Sequence, residues 1–169
     1  MNWSGRTSVP DTRTADAVGW VGSEAVYVSA YRQLIRVAFV LTGSGPEAED
    51  VVQDVFAKVG PRISELDDPV PYLRVAVVNR CRSLHRHTRS APTPRRPDDA
   101  ALDVGLIELR DALADLSTKQ RTAIVLRYLC DLADTEIAEI LNCRRATVRS
   151  LVQRGLAELR TALDDPKDA

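Results

Sequence analysis

The chain has 169 residues, of which 44% are hydrophobic and 28% charged. That balance supports one larger or two small folded domains and excludes a chain disordered throughout. Lys+Arg number 23 and Asp+Glu 24, so the net charge of −1 names no partner and only local patterns can. Three cysteines are too few for a disulfide scaffold. No apolar run approaches the roughly 20 residues of a membrane span, and residues 1–20 lack the apolar core of a secretory signal. A cytoplasmic protein with no membrane insertion is expected.

Residues 1–22 are rich in Ser, Thr, Gly, Asp and Arg and read as a mobile tail, with Trp20 placed to pack on the first helix. From Glu24 to Leu41, Val28, Tyr31, Leu34, Ile35, Ala38 and Leu41 recur at helical spacing, until Thr42-Gly43-Ser44-Gly45-Pro46 stops the pattern. A second helix is predicted from about Pro46, with Glu47, Glu49 and Asp50 early, where the macrodipole favours acids. Val51, Val52, Val55, Phe56 and Val59 form its apolar face, and Gly60-Pro61 should kink it before Ile63 and Leu66. Asp67-Asp68-Pro69 reads as a turn, and a third helix is expected from about Pro71 to His87. Its buried side is expected to hold Tyr72, Leu73, Ala76, Val77 and Leu84.

Residues 88–104 hold three prolines and little that could pack, as a flexible linker would. Further helices are predicted over Leu106–Leu116, from Ser117 to about Leu129, over Thr135–Leu141 and over Ala146–Leu163. Ser117 with Gln120 three residues on has the capping-box pattern. Strand signals are absent. The expected class is all-α, in two small domains over 23–87 and 105–164, with tails at 1–22 and 165–169.

Thr135 to Leu156 fits a helix-turn-helix. Ala138 is the small residue where two helices would touch, and Asn142 can adopt the left-handed turn. Val148, Leu151 and Val152 would face inward. Arg149, Ser150, Gln153 and Arg154 would then face outward, with Arg144 and Arg145 at the helix entrance. Arg reads guanine edges, Gln reads adenine, and helix N-termini attract phosphate. Five arginines and one acid, Glu158, lie between Arg144 and Arg160.

A second basic stretch runs from Arg74 to Arg96, with seven arginines and no acid, which suits a phosphate backbone. The reverse holds from Glu47 to Asp68, where seven acids stand against Lys58 and Arg62. Acids and bases are segregated although they cancel overall. One domain could present an acidic face to a basic protein and a basic face to DNA. Cys81, Cys130 and Cys143 lack metal-ligand spacing and are expected to be reduced and buried. His85 and His87 point to different sides of a helix. No nucleophile motif or phosphate loop is present, so no enzyme activity, metal or cofactor is expected.

These segments together resemble the extracytoplasmic-function group of bacterial RNA polymerase sigma factors, in the sigma-70 family and of the sigma-E-like actinobacterial type. Glu47-Ala48-Glu49-Asp50-Val51-Val52-Gln53-Asp54-Val55-Phe56 is similar to the acidic signature of sigma region 2. Leu41-Thr42-Gly43 and the run Pro71 to Ser83 resemble its flanking motifs. Leu113 to Ser117, Gln120-Arg121, Val125 to Tyr128, Thr135 to Ala138 and Thr147 to Ser150 resemble region 4. Ser83, Arg144 and Ala146 depart from the usual acid, Pro and Gly.

The resemblance implies a non-catalytic factor that binds core polymerase at its clamp helices and flap, together with promoter DNA. It assigns Asp50, Val51, Gln53, Asp54 and Phe56 to core-polymerase binding. It assigns Tyr72, Asn79, Arg80, Arg82 and Arg86 to the −10 element, and Arg144, Arg145, Thr147, Arg149, Ser150, Gln153 and Arg154 to the −35 element. An anti-sigma factor is a further implied partner. The rival reading is a helix-turn-helix regulator that binds DNA without polymerase. It explains the second half of the chain but not the charge pattern of the first.

Overall fold

The computed structural model describes residues 24–87 and 103–164. The expected packing of Trp20, the two tails and most of the linker lie outside them. Among the described residues the structure is helical, with no strand. No helix among them is long and apolar enough to cross a membrane.

Three helices build the first half: α1 (Glu24–Thr42), α2 (Gly45–Val59) and α3 (Pro69–His87). The break between α1 and α2 is set by Gly43, at φ +83, a conformation that a side chain would strain. Ser44 then caps α2 by accepting from the Glu47 N–H. Gly60-Pro61 ends the α-helical hydrogen-bonding, as expected, and the chain continues as a 3-10 turn over Gly60–Glu65. The third helix starts two residues before the expected Pro71. Asp68 accepts from the Val70 N–H at 3.3 Å, and Pro69 occupies a first-turn position where its missing N–H costs nothing.

The second half holds α4 (Val104–Leu113), α5 (Thr118–Ile124), α6 (Asp134–Leu141) and α7 (Arg145–Asp164). The first of these ends at Leu113 instead of the expected Leu116. Arg121 reaches back to the carbonyls of Leu113 (3.1 Å), Ala114 (2.7 Å) and Leu116 (3.3 Å) and satisfies the turn that replaces the last helical residues. The capping box is present: Gln120 Oε1 accepts the Ser117 N–H at 3.0 Å, and Ser117 Oγ accepts the Gln120 N–H at 3.4 Å. The expected continuous helix to Leu129 instead widens into a π turn over Val125–Leu129, closed by the Cys130 N–H on the Val125 carbonyl.

Aliphatic side chains form the core, as the low aromatic content requires. Leu34, Val52, Leu73 and Val77 fill the first half, and Leu113, Leu126, Ile137 and Val148 the second. Truncating any one buried Leu to Ala would cost about 2–5 kcal/mol. Gly155 lets α7 approach α5 closely, since a Cβ there would lie 2.7 Å from Ile124 Cδ1. One expected core residue is misplaced. Tyr72 is 49% exposed, because the helical period places it off the face that Leu73, Val77 and Cys81 turn to the core.

The two halves also meet. Arg110, only 6% exposed, lies 5.2 Å from the centroid of the Phe39 ring and donates to the Gly43 carbonyl at 3.5 Å. Arg121 donates to the Leu41 carbonyl at 3.4 Å. Both cations thus sit at the carboxyl end of α1, where the helix dipole favours positive charge. Farther along, Arg82 of α3 donates to the Ile140 carbonyl of α6 at 3.2 Å.

Candidate nucleic-acid interface

Helices α6 and α7 form the helix-turn-helix. Asn142 has φ 49 and ψ 57, the left-handed conformation expected of it. The turn closes by the Asn142 N–H on the Glu139 carbonyl and the Cys143 N–H on the Ala138 carbonyl, at 3.1 and 2.9 Å. Ala138 is buried where the helices meet, with Val148, Leu151 and Val152 behind it.

That packing turns the opposite side of α7 to solvent. Arg144, Arg145, Thr147, Arg149, Ser150, Gln153 and Arg154 are all exposed. Arg145, Arg149 and Gln153 follow one another at four-residue intervals and share one stripe. Two of the polar groups are partly occupied within the helix: Ser150 Oγ donates to the Ala146 carbonyl at 3.0 Å, and Arg154 Nε to the Ser150 carbonyl at 3.2 Å. Such a ridge, polar and cationic with few acids, can contact phosphates and base edges together.

In the first half, α3 presents Asn79 to solvent, with Arg80 and Arg82 half-buried. Arg82 also donates to Asn79 Oδ1 at 3.4 Å. Arg80 Nε donates to Asp54 Oδ2 at 2.9 Å, and Lys58 Nζ reaches the same oxygen at 2.8 Å. These cations hold Asp54 below its ordinary range, the Lys58 hydrogen bond most strongly. The side chain of Arg86 lies outside the described part.

The residues expected on the polymerase side of α2 separate into two sets. Asp50 and Gln53 are exposed and Asp54 is half-buried, on one face. Gln53 also hydrogen-bonds the buried Tyr31, whose hydroxyl is pushed up by that burial. Val51 and Phe56 lie on the other side, in the core, and Phe56 packs on Tyr31 with ring centroids 5.5 Å apart. These two therefore cannot offer a surface to a partner. The 3.6-residue period that makes α2 amphipathic assigns them to packing.

Sequence reasoning missed Asp134, which touches both Arg127 and Arg149. It also missed Arg110 and Arg121. No local spacing marks these residues, because the contacts that give them a role, Arg149 for Asp134, Phe39 and Gly43 for Arg110 and Leu41 for Arg121, are distant in the chain.

Two family models match the chain: sigma-70 region 2 over residues 26–91 and sigma-70 region 4 over residues 106–159. The sigma-E factor of Streptomyces antibioticus is 30% identical over 78% of this chain and 78% of its own. The chain belongs to the extracytoplasmic-function sigma factors. Its role is promoter-specific initiation of transcription by RNA polymerase. The sigma factor SigW of Bacillus subtilis is 27% identical over 82% of this chain and 87% of its own. Among solved structures, the sigma factor RpoE of Bartonella quintana, in complex with the anti-sigma factor NepR, matches with a TM-score of 0.64 at 22% identity. That match covers 83% of this chain and 95% of the other. CnrH, in complex with the cytosolic domain of CnrY, also has a TM-score of 0.64, at 23% identity over 89% and 94% of the two chains. Both share the fold of this sigma factor.

Proposed function

We propose a residue-level division of labour for this sigma factor. The outward face of α2, with Asp50, Gln53 and the rim of Asp54, docks on core polymerase. Region 2 occupies 23–87, and Tyr72, Asn79, Arg80, Arg82 and Arg86 hold the −10 strand. Region 4 occupies 105–164, and the outward stripe of α7 reads the −35 element. The factor works in the cytoplasm and performs no covalent chemistry. Opening the duplex requires only a surface that stabilises an unstacked base.

The observation that carries this reading is the orientation of α7. Its apolar side is spent on the helix-turn-helix core, so the arginine stripe is left outward. Tyr72 supports the −10 assignment, since an exposed aromatic beside a basic helix can stack on a single-stranded base.

Reading both elements at once requires the halves to separate. The elements lie roughly 25 base pairs apart, about 85 Å at 3.4 Å per base pair, whereas the two halves here touch at the end of α1. The 15 residues between the described segments can reach about 50 Å at roughly 3.3 Å each. The contacts of Arg110, Arg121 and Arg82 thus belong to a closed state that gives way on polymerase. An anti-sigma factor is the proposed partner of the closed state, as the RpoE neighbour, solved with the anti-sigma factor NepR, encourages.

Equilibrium binding of the full chain to purified core polymerase tests this reading. Wild type should bind, and Asp50→Arg should weaken binding by about tenfold or more through like-charge juxtaposition. Tight duplex binding by the chain alone, with no affinity for core, would instead identify a stand-alone regulator.

A further inference from the structure

Asp134 begins α6, the first helix of the helix-turn-helix, yet its carboxylate is not used to cap that helix. Glu136 does this, accepting the Ala133 N–H at 2.8 Å. Both oxygens of Asp134 go to arginines on other elements. Oδ1 pairs with a terminal nitrogen of Arg127 on the π turn, and Oδ2 accepts from Arg149 Nε of α7 at 3.1 Å. The Asp134 side chain is 15% exposed and that of Arg149 is 61% exposed. The anchor is therefore inside and the head outside. Among the described residues Arg149 makes no other hydrogen bond, so both terminal nitrogens stay available.

We infer that Asp134 is a positioning residue for specificity: it fixes Arg149 through Nε so that the two terminal nitrogens meet one guanine edge. The inference rests on the proposed reading of DNA by α7. A guanidinium free to rotate spends much of its time on phosphates, which carry no sequence information. One held by Nε keeps the planar fork that matches guanine O6 and N7. Arg127 supports the anchor from behind by holding the other oxygen.

Asp134 is also a negative charge close to a DNA-binding face. Its removal should therefore leave general duplex affinity equal or stronger while discrimination falls. A role confined to folding stability would not produce these opposite signs.

The test uses the full chain with core polymerase on a promoter that wild type initiates, with every base of the upstream element randomised. Should the chain drive no initiation, the proposed function fails; retention of the same duplex library by the chain alone then reads the same preference. Wild type should prefer guanine at one position. Arg149→Lys should lose that preference, and Asp134→Ala should reduce it about fivefold or more at the same position only. Asp134→Asn keeps an acceptor for Nε and should restore part of it. Unchanged preference in Asp134→Ala, or equal flattening at every position, would overturn the inference.

Discussion

Asp54 of α2 and Arg80 of α3 are joined at 2.9 Å, so a residue of the proposed polymerase face holds a residue of the proposed DNA face. Lys58 shares the carboxylate, and the Arg80 side chain is 41% exposed. The pair positions more than it stabilises, since exposed ion pairs contribute at most about 1 kcal/mol.

The first prediction concerns proton binding. Asp54 is depressed in the folded state, first by Lys58 and then, against some desolvation, by Arg80. Its stabilisation is therefore complete above the unfolded carboxylate pKa of about 3.9 and is lost as pH falls through the lower folded value. Carboxyl resonances followed by NMR should show Asp54 titrating below exposed aspartates. Lys58→Ala and Arg80→Ala should each move it up. No movement in either variant would break the assignment.

The contact between the halves gives a second. Arg121→Ala removes one donor from each of the carbonyls of Leu41, Leu113, Ala114 and Leu116, and should cost about 2–3 kcal/mol in denaturant unfolding. Arg110→Ala removes the guanidinium from the Phe39 ring and should loosen the halves more selectively. Small-angle scattering of the full chain should show a larger radius of gyration for Arg110→Ala than for wild type. An unchanged radius would mean that this arginine does not keep the halves together.

The turn of the helix-turn-helix supplies a third. Asn142 is in the left-handed region, which costs a β-branched residue most. Asn142→Val should destabilise by about 1–2 kcal/mol, while Asn142→Gly should be neutral within about 0.5 kcal/mol. Thermal unfolding of the two variants measures the difference, and equal losses would contradict the turn geometry.

What was legible in the sequence was local. Asn142, the Ser117–Gln120 box and the Gly60-Pro61 break each carry their cause within a few residues, and each is in its expected place. The aliphatic faces followed from spacing. Tyr72 was misassigned because its aromatic character points to burial, although the four-residue spacing of Leu73, Val77 and Cys81 leaves it off the core face of α3. The π turn at Val125–Leu129 leaves no compositional mark, since it holds no Gly, Pro or other helix breaker. The outward stripe of α7 was readable, but Asp134, which lies 15 residues before Arg149 on another helix, was not. Val51 and Phe56 were drawn into the polymerase face by the family signature, although their own apolar character assigns them to the core.

Thiol reactivity is a fourth prediction. All three cysteines are free. Burial pushes Cys81 up to about 12 and raises Cys130 as well, whereas Cys143 is half-buried in the turn. A thiol reagent at neutral pH should modify Cys143 first, with Cys81 and Cys130 reacting only as the fold opens. Peptide mapping after brief labelling reads the order, and early modification of Cys81 would place it outside the core.

The most direct test of sigma-factor function is run-off transcription with purified core polymerase on genomic fragments, with and without the full chain, mapping the 5′ ends. The expected result is a set of new start sites sharing two short upstream elements, lost or redistributed in Arg149→Ala. The absence of new starts, with the same core active on another sigma factor and the chain bound to DNA alone, would contradict promoter-specific initiation as its function.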